Sequence, residues 1–217
     1  LKTNLPALDL VKTEQSRRKK AMKYYQIYDC ERAVKDPMVC ETNLEELKID
    51  INMFRICKEF TSDEKIKFYA ELEEDDGTPD DFLQNTEMVP IFSPRMREAI
   101  EEAGITGIQY IPIEVEHYNK EKLEGYCIAN VLNSVSDALD FDKTIFLKMK
   151  SENGKLDLYI PSIKSEKVPD SIDIFRLKYD ERIENDYSTF IVVSERFKSI
   201  IAKNKFTGIG FSKNRAE

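Results

Sequence analysis

An internal repeat constrains the fold of this chain more than any other feature of its sequence. Ile105-Thr-Gly-Ile-Gln-Tyr recurs 101 residues later as Phe206-Thr-Gly-Ile-Gly-Phe, and at the same offset Ser93-Pro-Arg-Met recurs as Ser194-Glu-Arg-Phe. The chain has only seven glycines in 217 residues. Two of them in the same Thr-Gly-Ile context therefore indicate a repeated structural unit.

Each copy of the repeat predicts a strand, a helix and a second strand. Ser93 and Ser194 are predicted N-caps, because a serine hydroxyl accepts a hydrogen bond from an otherwise unpaired amide of the first helical turn. Apolar residues with helical spacing follow both serines: Met96, Ala99, Ile100 and Ala103 in the first copy, and Phe197, Ile200 and Ile201 in the second. We therefore expect each helix to bury one face.

Glycines are predicted to form the turn between the helix and the last strand of each unit. Gly104 is expected to end the first helix in the left-handed conformation, where Lys205 takes the equivalent place in the second copy. The pairs Thr106-Gly107 and Thr207-Gly208 should then turn the chain tightly into a strand. A phosphate cradle is the functional alternative, since helix N-termini attract anions. The motif lacks the glycine-rich loop and lysine of a P-loop, so the structural reading is preferred.

Strand-like segments outnumber these two helices, and several are joined by short turns. The sequence therefore predicts an α+β fold with a mixed, largely antiparallel sheet and a few helices, including two repeated strand-helix-strand units. Residues 106–118 are predicted to form one long strand, whereas residues 45–60 fit strand and helix spacing equally. Residues 22–217 are expected to form a single domain, and a boundary within it would fall near residue 85.

The chain begins with Leu1, and Met22 opens the first strand-like segment. Residues 1–21 carry six basic and two acidic side chains, a net charge of +4. Since the whole chain has a net charge of −8, residues 22–217 carry −12. We expect this basic segment to be a flexible extension or an expression remnant. Four basic residues in a row, "RRKK", are weak evidence for a nucleic-acid arm in an acidic protein, so no nucleic-acid partner is expected.

Composition narrows the class of protein further. Charged residues make up 34% and the hydrophobic set 41%, as in ordinary globular proteins. No apolar run approaches the roughly 20 residues that span a bilayer, and no signal peptide is recognisable, so a cytoplasmic protein without a membrane partner is expected. Four cysteines form neither a CxxC pair nor a dense framework and are predicted to be reduced thiols: Cys30, Cys40, Cys57 and Cys127.

No catalytic, metal or cofactor motif stands out. His117 is the only histidine, and Cys127 lies in an apolar run where cysteine usually behaves as a buried hydrophobe. Carboxylate pairs such as Asp140 and Asp142 are expected by chance among 41 acidic residues. We therefore predict a protein that is not an enzyme and has no cofactor. A hydrolase built from Cys127, His117 and a carboxylate is the alternative reading.

Several segments together resemble the bacterial immunity proteins of polymorphic toxin systems, specifically immunity family eleven. The resemblance is carried by "IFS" leading into a helix, "ITGIQYIPIEV", "YCIANVLNSVSDALDFDKT" and "FIVVSERFKSIIAKNKFTGIGF". Residues in the comparable positions are Asn130, Asp137 and Asp140 in the middle, and Ser194, Glu195, Arg196, Thr207, Gly208 and Phe211 near the end. The family implies a non-enzymatic protein that binds and blocks a cognate toxin. A general intracellular protein-binding module of the same fold is the alternative.

The most acidic stretch of the chain is the candidate surface for such a partner. It consists of Glu71, Glu73, Glu74, Asp75, Asp76, Asp80 and Asp81. It lacks the residue order of an EF-hand, so no calcium site is expected. Because many toxins that cut nucleic acids are basic, we expect these carboxylates to speed the encounter with a basic toxin. A loop that is simply solvated is the alternative reading.

Overall fold

A computed structural model describes residues 23–29, 39–71, 79–117, 122–148, 156–178 and 187–213. Within these ranges the protein is mixed α+β and mostly sheet, as predicted. The strands are β1 (Tyr24–Asp29), β2 (Val39–Thr42), β3 (Lys67–Glu71), β4 (Phe82–Asn85), β5 (Ile91–Phe92), β6 (Ile108–Pro112), β7 (Glu114–His117), β8 (Lys122–Leu123), β9 (Cys127–Val131), β10 (Ser134–Val135), β11 (Ile145–Lys148), β12 (Leu156–Ile160), β13 (Ile174–Lys178), β14 (Tyr187–Ser194) and β15 (Ile209–Lys213). The helices are α1 (Pro94–Glu102) and α2 (Glu195–Asn204), with 3-10 turns at Ile51–Phe54 and Ser165–Lys167.

The strands form two larger sheets and one hairpin. The five-stranded sheet has the order β10-β13-β14-β1-β15, and the eight-stranded sheet has the order β6-β9-β5-β4-β2-β3-β7-β8. Most neighbours are antiparallel, but β2 with β4, β3 with β7, and β10 with β13 are parallel. Strands β11 and β12 pair only with each other among the described strands.

Both copies of the sequence repeat have the same elements and the same neighbours. In the first copy the local order is β4-β5-β9-β6, and in the second it is β13-β14-β1-β15. In each copy an antiparallel hairpin is followed by a serine-capped helix and then by a further strand. A strand from elsewhere in the chain lies between the second strand of the hairpin and this further strand. This inserted strand is β9 in the first copy and β1 in the second.

The predicted helix caps are confirmed. The hydroxyl of Ser93 accepts from the Met96 amide at 3.2 Å, and the hydroxyl of Ser194 accepts from the Phe197 amide at 3.2 Å. Pro94 occupies the first turn of α1, where its missing amide costs nothing. Gly104 has a φ of +69° at the end of α1, and Lys205 has a φ of +54° at the end of α2.

The buried faces of α1 and α2 meet in one core. Met96 and Ile100 from α1 and Phe197 and Ile201 from α2 are at most 3% exposed and belong to the same hydrophobic cluster. A second cluster lies within the eight-stranded sheet and includes residues of β2, β3, β4, β5, β7 and β9. A third packs against the five-stranded sheet around Phe175 and Val192.

The prediction of one long strand over residues 106–118 is wrong. The chain forms β6 and β7, which are separated by Ile113. Strand β6 pairs with β9, whereas β7 pairs with β3 and β8, so the chain bends at Ile113 as it changes partners. Since β6 and β7 lie near opposite ends of the strand order, the eight-stranded sheet curls back on itself.

Residues 45–60 contain neither of the two regular elements that their spacing fits. They form a turn over residues 44–48 and a short 3-10 helix, Ile51–Phe54. Phe54 is fully buried and Leu44 nearly so, and both belong to the second cluster. The conformation of this segment is therefore set by the burial of individual apolar side chains and not by a regular spacing. No helix in the described ranges has the length and apolar character needed to cross a membrane.

Candidate functional site

The first repeat unit contains a cluster of two buried residues, Asp81 and Ser93, with the exposed Arg95, which we call the Asp81 cluster. The Ser93 hydroxyl donates to Asp81 Oδ1 at 2.7 Å. The Arg95 guanidinium donates to both carboxylate oxygens, from Nε at 2.7 Å and from Nη2 at 2.5 Å. The main chain supports the arrangement, because the Ser93 amide donates to the Asp81 carbonyl at 2.8 Å. The carboxylate therefore ties β4 to the start of α1.

The second unit repeats this arrangement with Asp173, Ser194 and Arg196, which form the Asp173 cluster. The Ser194 hydroxyl donates to Asp173 Oδ1 at 2.5 Å, and Arg196 Nη1 lies 2.5 Å from Asp173 Oδ2. The Ser194 amide donates to the Asp173 carbonyl at 2.9 Å. Both carboxylates immediately precede the first strand of their hairpin, so the two clusters have the same place in the two units.

Each cluster also contacts the other repeat unit. The Thr207 amide donates to Asp81 Oδ2 at 3.0 Å, and the Arg95 guanidinium lies 4.7 Å from the centre of the Phe206 ring. In the other direction, Arg196 donates to the main-chain carbonyl of Ala103 at the end of α1. The two clusters therefore hold the helix ends of the two units together.

The predicted Thr-Gly turns lie at these junctions. Gly107 and Gly208 have φ values of +82° and +80°, in the left-handed region as the turn requires. Asn133 Nδ2 donates to the Thr106 carbonyl at 3.1 Å and to the Ile174 carbonyl at 3.1 Å, so this side chain links the first turn to the second unit. Conversely, the Phe82 amide donates to the Thr207 carbonyl at 3.0 Å.

The residues of the acidic stretch predicted to bind a partner differ in their burial. Asp81 is 5% exposed, and its carboxylate accepts hydrogen bonds from Ser93 and Arg95. Burial acts to raise the pKa of Asp81, but hydrogen bonds from Arg95 and Ser93 outweigh it and hold that pKa below its ordinary value of 3.8. Asp80 is partly buried, and its carbonyl accepts from the Tyr126 hydroxyl at 2.9 Å. Residues 72–78 and the Glu71 side chain lie outside the described part of the chain.

The residues of the alternative hydrolase reading lie on strands that do not pair. His117 ends β7, which pairs with β3 and β8, whereas Cys127 begins β9, which pairs with β5 and β6. Cys127 is 2% exposed, and burial raises the pKa of its thiol to about 11. Its Sγ lies 3.8 Å from the Phe92 carbonyl oxygen. Cys127 is thus a buried thiol, as predicted, and a poor nucleophile.

The other residues weighed for chemistry are the remaining cysteines and the pair Asp140 and Asp142, and Cys30 among them lies outside the described residues. The three described cysteines, Cys40, Cys57 and Cys127, are free thiols. The Asp140 carbonyl accepts from the Thr144 amide and hydroxyl at 2.9 and 2.6 Å, while Asp142 is exposed. No group of three or more His, Cys, Asp or Glu side chains that could hold a metal occurs in the described ranges.

The residues that carry the middle of the family resemblance separate into buried and exposed positions. Asn130 is fully buried in β9, and its Nδ2 donates to the Lys58 carbonyl at 2.8 Å and to Gln109 Oε1 at 3.0 Å. Asp137 is exposed and has a φ of +59°. Asn130 therefore holds the segment around Lys58 against the sheet.

Sequence reasoning missed Asp173. The two cluster aspartates are 92 residues apart, whereas their serines are 101 residues apart, because the hairpin of the second unit is longer. A comparison at constant offset does not align them. The available signal is an aspartate directly before an apolar strand, Asp81-Phe82 and Asp173-Ile174, with a serine at the end of the partner strand.

The described part of this chain is thus a mixed α+β fold in which the Asp81 and Asp173 clusters join strands to the ends of the two helices. The chain belongs to the immunity protein family Imm11, whose model matches residues 5–216 and so covers nearly the whole chain. The resemblance inferred from the sequence motifs is confirmed, and membership supports a role as an immunity protein. Among curated proteins no match is found.

Proposed function

We propose that this protein binds a cognate bacterial toxin of a polymorphic toxin system and blocks it without catalysis, in the cytoplasm of the producing or a sister cell. The family match over residues 5–216 is the observation that carries the proposal. The geometry is compatible with it, because the candidate nucleophile Cys127 is buried and the charged clusters are occupied with internal contacts.

The probe for this proposal is the toxin domain that the proposal predicts to be encoded beside this gene. Co-expression of the two proteins in a bacterial host should restore growth that the toxin alone stops, and the purified proteins should form a complex detectable by calorimetry. Cys127→Ala should protect as well as the parent, since a binding inhibitor needs no nucleophile. Growth arrest that persists in the presence of the protein, together with no complex at micromolar concentrations, would contradict the proposal.

The acidic stretch is proposed to accelerate this association. A strongly negative protein attracts a basic partner over a distance set by ionic strength, and such charges act mainly on the association rate. Asp81 cannot contribute to the contact surface, because its carboxylate is buried against Arg95. The role is therefore assigned to Glu71, Glu73, Glu74, Asp75, Asp76 and Asp80.

The matching experiment neutralises four of these charges, Glu73, Glu74, Asp75 and Asp76, to Gln or Asn. Association with the toxin should slow and its salt dependence should flatten, while dissociation changes little. The control variant neutralises four exposed glutamates elsewhere, Glu45, Glu46, Glu102 and Glu124, which removes the same net charge. Equal association rates and salt slopes for the two variants would show that net charge alone matters and that this stretch has no special role.

A further inference from the structure

A groove lies where the eight-stranded sheet curls back towards its own edge. Its walls are residues 60–66 and residues 109–114, and it has a volume of about 590 Å³. This is within the roughly 300–1,000 Å³ of typical ligand clefts. Residues 61–65 are exposed along one wall, and β6 forms the other.

Strand β6 has an open edge towards this groove. It pairs with β9 on one side and is the end strand of the eight-stranded sheet as far as the chain is described. The Leu132 amide donates to the Gly107 carbonyl, and the Ile113 amide donates to the Tyr126 carbonyl. In an antiparallel pair, main-chain bonds alternate along the strand. Gln109 and Ile111 therefore bond to β9, whereas the amide and carbonyl of Tyr110 point away from it.

The opposite wall, residues 60–66, is bonded to the β6–β7 segment near both of its ends. At one end the Phe60 amide donates to Gln109 Oε1 at 2.9 Å, and Gln109 Nε2 donates to the Phe60 carbonyl at 2.7 Å. At the other end the Glu114 amide donates to the Ile66 carbonyl at 2.9 Å. Within these two fully described walls, no main-chain hydrogen bond joins residues 61–65 to residues 110–113. The groove thus lies between a contact of the Gln109 side chain at one end and a main-chain bond at the other, and the outer edge of β6 faces it at Tyr110.

The charge of the groove is negative. Among its lining residues, Asp63, Glu64 and Glu114 face one cation, Lys65, a net charge of −2. Outside the lining, Lys122 Nζ lies 3.9 Å from Glu114 Oε2, which leaves Asp63 and Glu64 as the source of the negative charge. Lys65 is held by Glu114, with Nζ 3.0 Å from Oε1. Asp63 and Glu64 have no ion-pair partner in the described part of the chain and project from the exposed wall. A basic side chain that enters the groove would meet two available carboxylates.

The geometry points to one occupant: an extended segment of the toxin that pairs with the main chain of Tyr110 as an added strand and places a Lys or Arg side chain beside Asp63 and Glu64. Strand addition to an open sheet edge is a common mode of protein recognition, in which main-chain bonds give affinity and side-chain pockets give selectivity. This inference rests on the proposed function, because it names the surface and the segment by which the toxin is held.

Amide hydrogen exchange on the unmodified protein tests the inference residue by residue. In the free protein the Tyr110 amide should exchange faster than the amides of Gln109 and Ile111, which donate to β9. In the complex with that toxin domain, the rate of exchange of the Tyr110 amide should fall by at least about tenfold, while the rates of its two neighbours change little. Protection of Tyr110 that rises with the concentration of the free protein would instead assign the edge to a second copy of this chain and overturn the inference.

Charge reversal provides an independent measurement. The double variant Asp63→Lys/Glu64→Lys should weaken the complex by about tenfold or more, because two attractive contacts become repulsive. The matched control, Asp142→Lys/Glu166→Lys, makes the same change in net charge at exposed positions and should stay within about threefold of the parent, since distant charges are screened. Circular dichroism and thermal unfolding check that both variants fold.

The outcomes separate this inference from the proposed function. A tight complex in which Tyr110 gains no protection and the two double variants bind alike would overturn the groove assignment and leave the immunity role standing. A parent protein that neither binds nor neutralises the toxin would refute the proposed function itself, and the groove assignment with it.

Discussion

Replacing Gly208 by alanine should destabilise the protein far more than replacing Gly104 by alanine, although both glycines have left-handed backbones. Their φ values are +80° and +69°. A Cβ atom added at Gly208 would lie 2.2 Å from the Phe82 carbonyl oxygen and 2.7 Å from Asp80 Cβ, whereas one added at Gly104 would meet nothing within 4 Å. Phe82 cannot retreat easily, because its amide is bonded to the Thr207 carbonyl at 3.0 Å.

The magnitude follows from three contributions. A left-handed conformation costs an alanine about 1–2 kcal/mol, and replacing glycine returns about 0.4–1 kcal/mol by restricting the unfolded chain. Gly104→Ala should therefore lose about 0–1.6 kcal/mol in the free energy of unfolding. At Gly208 the forced shift of packed backbone adds about 1–3 kcal/mol, for a total loss of about 1–4.6 kcal/mol.

Denaturant unfolding of the parent and the two variants, followed by circular dichroism, measures these losses. In a thermal scan each 1 kcal/mol corresponds to about 2–4 °C for a chain of this size, so the two variants should be well separated in Tm. Gly104→Ala is the matched control, since it shares the backbone strain and lacks the collision. Equal losses for the two variants would show that backbone strain alone accounts for Gly208, and would refute the argument from close approach.

Three further predictions concern the clusters and the buried thiol. The pKa of Asp81 is held below its ordinary value of 3.8, so its ionised form stabilises the folded protein above that pH, and this stabilisation is lost as the pH falls further. Urea unfolding at a series of pH values should therefore show a smaller acid-induced loss of the free energy of unfolding for Asp81→Asn than for the parent. Ser93→Ala and Ser194→Ala should each lower the free energy of unfolding by about 1 kcal/mol or more, since each removes a helix cap, and a loss below the error of denaturant titrations in both variants would contradict the capping role. Cys127, whose thiol has its pKa raised to about 11 by burial, should resist a thiol reagent at pH 8 until the protein is denatured, as peptide mapping by mass spectrometry can establish; rapid labelling of native Cys127 would contradict its burial.

The helix boundaries and turns of the repeat could be predicted from sequence because they depend on residues only a few positions apart. A serine hydroxyl reaches an amide three residues ahead, and a left-handed turn is best satisfied by glycine at that position. The caps at Ser93 and Ser194 and the left-handed turns at Gly107 and Gly208 therefore follow from local chemistry. The α+β class follows in the same way from alternation and turn signals.

Pairing between distant segments was decided only by the tertiary structure. Nothing near Asp81 in the sequence indicates that its carboxylate meets Thr207, or that β1 and β9 enter the two repeat units. The break at Ile113 arises because β6 and β7 take different partner strands, while the residues themselves favour one continuous strand. The groove beside Tyr110 exists for the same reason, since it is a gap between segments about fifty residues apart whose separation is fixed by contacts at its two ends. Local propensity sets which elements form, and the burial of their apolar faces against distant partners sets where a surface is left open for binding.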